Sequence, residues 1–152
     1  MYFIDRNQIT ETASHMAALI ELFEEKKEWT SLLDQLALER LANNLIESMI
    51  DMGNSMIDGF IMRDPGSYED IIDILVDEKV ITAEMDEPLK KVIGLRKMLV
   101  REFMKVDHQE LVDVIRANYV PLKDFAPKVE HYLEHELGPV SAFLPESKNE
   151  KL

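Results

Sequence analysis

The segment from Ser31 to Phe60 reads SLLDQLALERLANNLIESMIDMGNSMIDGF, and it decides the fold class of this 152-residue chain. Its apolar side chains recur every three or four residues, which is the period of an α-helix. Ser31 followed by Asp34 is a capping-box pattern, so we expect the helix to begin there and to continue to about Met62. The apolar face consists of Leu38, Leu41, Leu45, Met49, Met52, Met56 and Phe60.

A narrow polar stripe runs along the opposite side of this helix. It consists of Asn43, Glu47, Asp51, Asn54 and Asp58. Such a stripe is usually the solvated face of an amphipathic helix, and the mix of acids and amides leaves a binding site as the alternative. The apolar residues cover more than half of the circumference, which is more than one bundle needs. We therefore expect part of this helix to contact a second subunit.

Similar start signals divide the rest of the chain into helices. Capping residues precede the helical patterns at Asp5, Ser67, Thr82 and Asp107. The expected helices run from Asp5 to the charged stretch 24–28, from Tyr68 to about Lys79, from Thr82 to about Val106, and from His108 to the Gly138-Pro139 stop, with a bend or break at Pro121 and Pro127.

Four long helices and one short helix, joined by short connections, predict an all-α fold. We expect an up-and-down four-helix bundle with one extra short helix, assembled as a dimer. Only five glycines interrupt the sequence, and no strand-like alternation is present. The predicted domain spans residues 1–140, and residues 141–152 form a polar tail.

The composition narrows the classes of partner. The formal net charge is −13, whereas proteins that bind DNA or RNA through phosphates usually have a basic surface. We therefore expect no DNA partner, and any RNA site must be a local basic cleft. The charge also argues against an anionic membrane, and no apolar run is long enough to cross a bilayer. Without cysteine or a signal-peptide pattern, we expect a cytoplasmic protein.

Arg96 is a charge on an otherwise apolar face of the predicted helix 82–106. With about 100° between successive residues, the side chains within about 60° of it are Leu89, Val92, Ile93, Leu99, Val100 and Phe103. The sequence therefore predicts that Arg96, or at least its stem, is buried. A buried guanidinium needs a carboxylate, an amide or an anionic ligand.

The polar stripe supplies candidate partners for Arg96, namely Asp51, Asn54 and Glu47. One interpretation is a structural ion pair with no further role, because such pairs also hold bundles together. The other is an anion-binding site. His131 and His135 have the four-residue spacing of a metal pair, but no third ligand is evident, so we expect neither a metal nor a cofactor.

Two segments resemble a known family. Ile93-Gly94-Leu95-Arg96-Lys97-Met98-Leu99-Val100-Arg101-Glu102-Phe103 is similar to the signature stretch of HepT-like proteins of the HEPN superfamily. That signature is an Arg, four to six residues, a His, one residue and a Tyr. The stretch from Leu45 to Asn54 is similar to the family's second helix, and the order of helices matches over residues 1–140.

This resemblance implies a homodimeric helical bundle with an Arg/His cleft near the dimer interface. In active members the cleft cuts RNA, and the protein is the toxin of a toxin–antitoxin pair. The usual partner is a small nucleotidyltransferase antitoxin, which modifies the motif tyrosine with AMP.

The chain departs from the signature at two positions. Arg96 matches the motif arginine, whereas Arg101 stands at the histidine position and Phe103 at the tyrosine position. Arginine cannot exchange a proton near neutral pH, and phenylalanine has no hydroxyl. The leading hypothesis is a HepT-like dimer with weak or no ribonuclease activity, in which Asp51 or Asn54 holds Arg96, and Arg96 with Arg101 forms a small anion-binding cleft. The alternative is a non-enzymatic helical module that binds a nucleotidyltransferase or a nucleotide.

Overall fold

A computed structural model describes residues 4–137, and this part of the chain is built from helices. The α-helices are α1 (Arg6–Glu25), α2 (Leu32–Gly59), α3 (Tyr68–Asp77), α4 (Asp86–Gly94), α5 (Arg96–Arg101), α6 (His108–Ala117) and α7 (Tyr119–Leu137), with a 3-10 turn at Ala83–Met85. The all-α prediction is confirmed. The predicted Gly138-Pro139 stop and the polar tail 141–152 lie outside the described residues.

Most of the predicted helix starts are confirmed by their hydrogen bonds. The side chain of Asp5 accepts from the N–H of Gln8, and Ser31 forms the full capping box with Asp34. Ser67 and Asp107 cap α3 and α6 by accepting from the N–H groups of Asp70 and Glu110. Thr82 precedes the 3-10 turn and makes no capping bond through its side chain. These caps act within one turn of chain, which is why a local sequence pattern finds them.

The expected continuous helix 82–106 is wrong. After the 3-10 turn, α4 ends at Gly94, and the N–H of Leu95 bonds to the carbonyl of Val92 in a tightened turn. The next helix, α5, ends at Arg101 rather than near Val106. Gly94 favours the first break because glycine is a poor helix former. The chain then reverses, and the N–H of Asp107 contacts the sulfur of Met98 at 3.3 Å.

The predicted final helix is also divided, at Asn118 between α6 and α7. Pro121 has no N–H to donate to the carbonyl of Ala117, so a continuous helix cannot pass this point undisturbed. The side-chain nitrogen of Asn118 donates to the carbonyl of Val114 at 2.8 Å and completes the end of α6. Pro127 lies inside α7, which continues past it.

The central element is α2, which packs against α1, α3, α5, α6 and α7. Its broad apolar face is buried by the helices of the same chain, so that breadth does not require a second subunit. At the start of α2, the large apolar side chains that stay exposed are Leu32, Leu33 and Leu36. Within residues 4–137, no helix combines the length and apolarity that a membrane span needs.

A close approach in the core joins α2 to α3 at Gly53. A Cβ atom at this position would clash with the Cγ2 atom of Ile71. Glycine therefore allows α3 to lie directly on α2. This packing sets the position of the start of α3, which contributes a side chain to the site described next.

Candidate functional site

Arg96 is the first residue of α5, and its side chain reaches the polar stripe of α2. Its Nε donates to Oε2 of Glu47 at 2.9 Å. The sequence predicted a buried arginine or a buried stem, and the side chain is 29% exposed, so it is only partly covered. No residue of α5 is buried, so this segment lies nearer the surface than α4, which buries Leu89, Val92 and Ile93.

Glu47 is therefore the partner of Arg96, rather than Asp51 or Asn54. Asp51 follows one turn later on α2 and is exposed, and Asn54 is half-buried. The hydrogen bond to Glu47 raises the pKa of Arg96 above its ordinary value, although burial acts in the opposite direction. The guanidinium keeps its positive charge at any physiological pH.

A second contact of Arg96 comes from Tyr68, which the sequence analysis did not assign to the site. The guanidinium carbon lies 4.4 Å from the centre of the tyrosine ring, a cation–π geometry. Tyr68 is the first residue of α3, 28 positions before Arg96, and it is 44% exposed. No periodic pattern links the two residues, because their contact depends on how α3 and α5 pack on α2.

Glu47 and Tyr68 leave one edge of the guanidinium open. Within residues 4–137, the two terminal nitrogens of Arg96 take part in no hydrogen bond. These nitrogens carry four of the five N–H groups, in the fork that matches a phosphate or carboxylate. The site therefore presents a fixed cation with unused donors at the protein surface.

The other two motif positions do not join this contact. Arg101 ends α5 and is exposed, and five helical steps place it about 140° around the axis from Arg96. Phe103 lies in the loop after α5 and is 62% exposed. Neither contacts Glu47 or Tyr68 among the interactions of the described residues.

A histidine that follows the loop after α5 also contacts α2. Nε2 of His108, the first residue of α6, lies 2.6 Å from Oε2 of Glu39. Glu39 and Glu47 are eight residues apart on α2, which corresponds to about 12 Å along the axis. The polar side of α2 therefore holds one side chain from α5 and one from α6.

The turn before Tyr68 is held by a separate ion pair. The two terminal nitrogens of Arg63 bond to the two carboxylate oxygens of Asp70 at 2.7 and 2.9 Å. Asp70 also accepts from the N–H of Gly66 at 2.8 Å. The guanidinium of Arg63, helped by this backbone bond, lowers the pKa of Asp70 to about 2. The start of α3 is thus fixed from both sides.

The rings of His131 and His135 lie against each other on α7, with their centres 3.9 Å apart and their planes tilted by 38°. Nδ1 of His135 lies 3.0 Å from the carbonyl oxygen of His131, which occupies one of the nitrogens that a metal would use. In the described part of the chain, no group of three or more His, Cys, Asp or Glu side chains could hold a metal ion.

Comparison with known proteins shows which family and which proteins this chain is similar to. The family model described as Ribonuclease HepT-like matches residues 9–129. A protein of Bacillus subtilis (strain 168) named "Putative RNase YutE" is 50% identical over 143 residues, which cover 94% of this chain and 99% of that protein.

Solved structures show the same fold. The structure of YutE from Bacillus subtilis, described as a cytosolic protein of unknown function, covers 94% of this chain and 100% of its own, with a TM-score of 0.90 and 50% identity. A tri-AMPylated HEPN toxin of Shewanella oneidensis, solved in complex with an MNT antitoxin, matches 81% of this chain and 96% of its own. Its TM-score is 0.70, and at 18% identity the likeness extends to the fold alone.

Proposed function

This chain belongs to the HepT-like ribonuclease family, and from that premise we propose that it binds RNA or a nucleotide at Arg96 and cleaves RNA weakly or not at all. The observation that carries the proposal is the open edge of Arg96. Glu47 bonds only to Nε, so both terminal nitrogens can bind a phosphate.

Weak cleavage follows from the residues at the other motif positions. RNA transesterification needs a group that exchanges a proton at the 2′-hydroxyl, and arginine at position 101 cannot do this near neutral pH. Arg101 is exposed and points to a different side of α5, so it contacts a neighbouring phosphate of an extended strand rather than the one held by Arg96. Asp51 and Asn54 border the site on the stripe.

An RNA degradation and binding assay tests the proposal. We expect the wild-type protein to bind short single-stranded RNA without extensive cleavage, and Arg96→Ala to lose most of this binding. Robust cleavage that disappears in Arg96→Ala would show that the weak-activity proposal is wrong. RNA affinity that is unchanged in Arg96→Ala would reject the site itself. Lys91→Met, which removes an exposed charge on α4, is the matched control.

A second candidate function, a dimeric interaction module, is favoured by exposed apolar side chains. Val100, Phe103 and Met104 are exposed at the end of α5 and in the following loop. The bond between His108 and Glu39 fixes the end of this loop to the first third of α2, which carries the exposed Leu32, Leu33 and Leu36. Exposed apolar clusters of this kind mark protein interfaces. We propose a second copy of this chain as the occupant.

Light scattering of the purified protein tests this second candidate. We expect a dimer, and we expect the double variant Phe103→Glu, Met104→Glu to be monomeric. Val120→Glu on α7, an equally exposed apolar position, should leave the dimer intact. A monomeric wild-type protein would contradict the proposal. Binding of an added nucleotidyltransferase of the MNT class to this face, in place of a second copy, would instead identify that class as the partner.

The cytoplasm is the compartment that we propose for this chain. The description of YutE as a cytosolic protein supports this location.

A further inference from the structure

Tyr68 is an aromatic residue whose exposure is not explained by core packing. It is 44% exposed, whereas Tyr119 and Tyr132 are half-buried against the core. The guanidinium carbon of Arg96 lies 4.4 Å from the centre of the ring, and part of the tyrosine stays accessible to solvent. An exposed ring beside a cation with open donors is a combination that a ligand with an aromatic part and a phosphate would fit.

The position of Tyr68 is fixed before any ligand arrives. Oγ of the preceding Ser67 accepts from the N–H of Asp70 at 3.1 Å, and the Asp70 carboxylate binds Gly66 and Arg63. The chain is thus tied down on both sides of the tyrosine. A ring presented from a fixed helix start loses little conformational entropy when it binds, which favours affinity.

Arg96 is fixed in a complementary way. Glu47 holds the Nε edge, and Tyr68 covers a face, so the open nitrogens lie next to the tyrosine ring. Proteins that bind single-stranded nucleic acid combine cations for the phosphates with aromatic rings on which bases stack. Because every base has a flat π surface, one such pair suits RNA without selecting a sequence.

We propose that Tyr68 stacks on a base of single-stranded RNA whose neighbouring phosphate is bound by Arg96. The proposal rests on the function proposed above, and it adds the residue that would distinguish an RNA strand from a simple phosphate. Tyr68 acts through its ring, so its hydroxyl is not required.

Two substitutions separate the ring from the hydroxyl. Tyr68→Phe keeps the ring, and Tyr68→Leu keeps only the apolar bulk. With a short, unstructured fluorescent RNA, we expect Tyr68→Phe to bind as the wild type does and Tyr68→Leu to bind about tenfold more weakly. The dependence of affinity on salt should be the same in all three proteins, because the phosphate contact remains. Thermal melting by circular dichroism checks that each variant is folded.

Inorganic tripolyphosphate, which has phosphates but no base, serves as the second probe. It should compete for the site with equal strength in the wild type and in Tyr68→Leu. Equal RNA affinity of Tyr68→Leu and the wild type would overturn the stacking proposal, as would an equal loss in Tyr68→Phe and Tyr68→Leu. A smaller salt dependence in Tyr68→Leu would also overturn it, because Tyr68 would then act only by positioning Arg96.

The RNA measurements also separate this inference from the proposed function. If RNA binding depends on Arg96 but not on Tyr68, only the stacking proposal fails. If the wild-type protein binds neither RNA nor tripolyphosphate, both proposals fail.

Discussion

Arg63 and Arg96 both contact the start of α3. Arg63 fixes the turn that precedes this helix, and Arg96 contacts its first residue. Both terminal nitrogens of Arg63 bind Asp70 within the chain. Arg96 uses only Nε and keeps both terminal nitrogens open. The two arginines therefore differ in which donors remain available, although Arg63 is the more exposed of the two.

Arg63, with its bidentate bond to Asp70, has a structural explanation that needs no ligand. Its partner Asp70 caps the turn through Gly66 and is itself capped by Ser67. Among residues 4–137, Arg96 has no comparable set of contacts with the backbone and capping residues of a turn. A cation with unused donors, held by a carboxylate and an aromatic ring, is better suited to binding an anion than to stabilising the fold.

The largest expected effect comes from displacing α3, which carries the contacts of both Arg63 and Arg96. Gly53→Val would push α3 away from α2, because even a Cβ atom at this position clashes with Ile71. We expect the free energy of unfolding to fall by about 1–3 kcal/mol, with weaker RNA binding in the protein that remains folded. Urea unfolding and RNA titration measure the two effects.

Gly94→Ala is the matched control for this substitution. Gly94 has no atom within 4 Å of an added Cβ, so alanine should be neutral or should stabilise by up to about 1 kcal/mol. Equal stability of Gly53→Val and the wild type would show that α3 does not depend on this close contact.

The next effect separates the two arginines by function. Arg96→Met should weaken binding of single-stranded RNA by roughly tenfold or more and lower the salt slope by about one, as expected for a lost phosphate contact. Arg63→Met removes the same charge and should leave the slope unchanged, because Asp70 already occupies both terminal nitrogens of Arg63 in a bidentate ion pair. Titrations at several salt concentrations measure both values. Similar losses in the two variants would mean that only net charge matters.

We expect the loss of thermal stability at acid pH to depend on the ion pair between Arg63 and Asp70. The folded-state pKa of Asp70 is lowered to about 2, below the ordinary value of 3.8. Its contribution to stability is therefore complete above about pH 4 and is lost as the pH falls towards about 2. Asp70→Asn should lower the melting temperature at neutral pH and flatten its decline over this acid range.

Arg63→Met should flatten the acid decline in the same way, because it removes the cause of the lowered pKa. Thermal melting across the acid range measures both variants. An unchanged acid decline in Asp70→Asn would show that this ion pair is not linked to folding.

The smallest expected effect is the stability change in Arg96→Met. The pair with Glu47 is partly exposed, and such pairs contribute about 1 kcal/mol or less. Glu47→Gln should cost a similar amount in urea unfolding. A severe loss of stability in Arg96→Met would favour the structural ion pair considered in the sequence analysis, and it would weaken the contrast with Arg63.

Prediction from the sequence succeeded where the signal is local. The caps at Ser31, Ser67 and Asp107 are confirmed because each bond closes within four residues. It failed at the helix break near Leu95, which the apolar periodicity does not reveal, whereas the bend or break expected at Pro121 is found three residues earlier, at Asn118. The side chain of Arg96 is 29% exposed, which agrees with the prediction that at least its stem is buried.

The order of amino acids is enough to predict that this chain is helical, where most of its helices begin, and that Arg96 is a charge on an apolar face. Helix periodicity and capping involve neighbouring residues, so the order of amino acids contains them directly. Only the tertiary structure decided that Glu47 binds Arg96, that Tyr68 covers it, and that its terminal nitrogens stay open. Those contacts join three helices, and they depend on packing at positions such as Gly53, far from Arg96 along the chain.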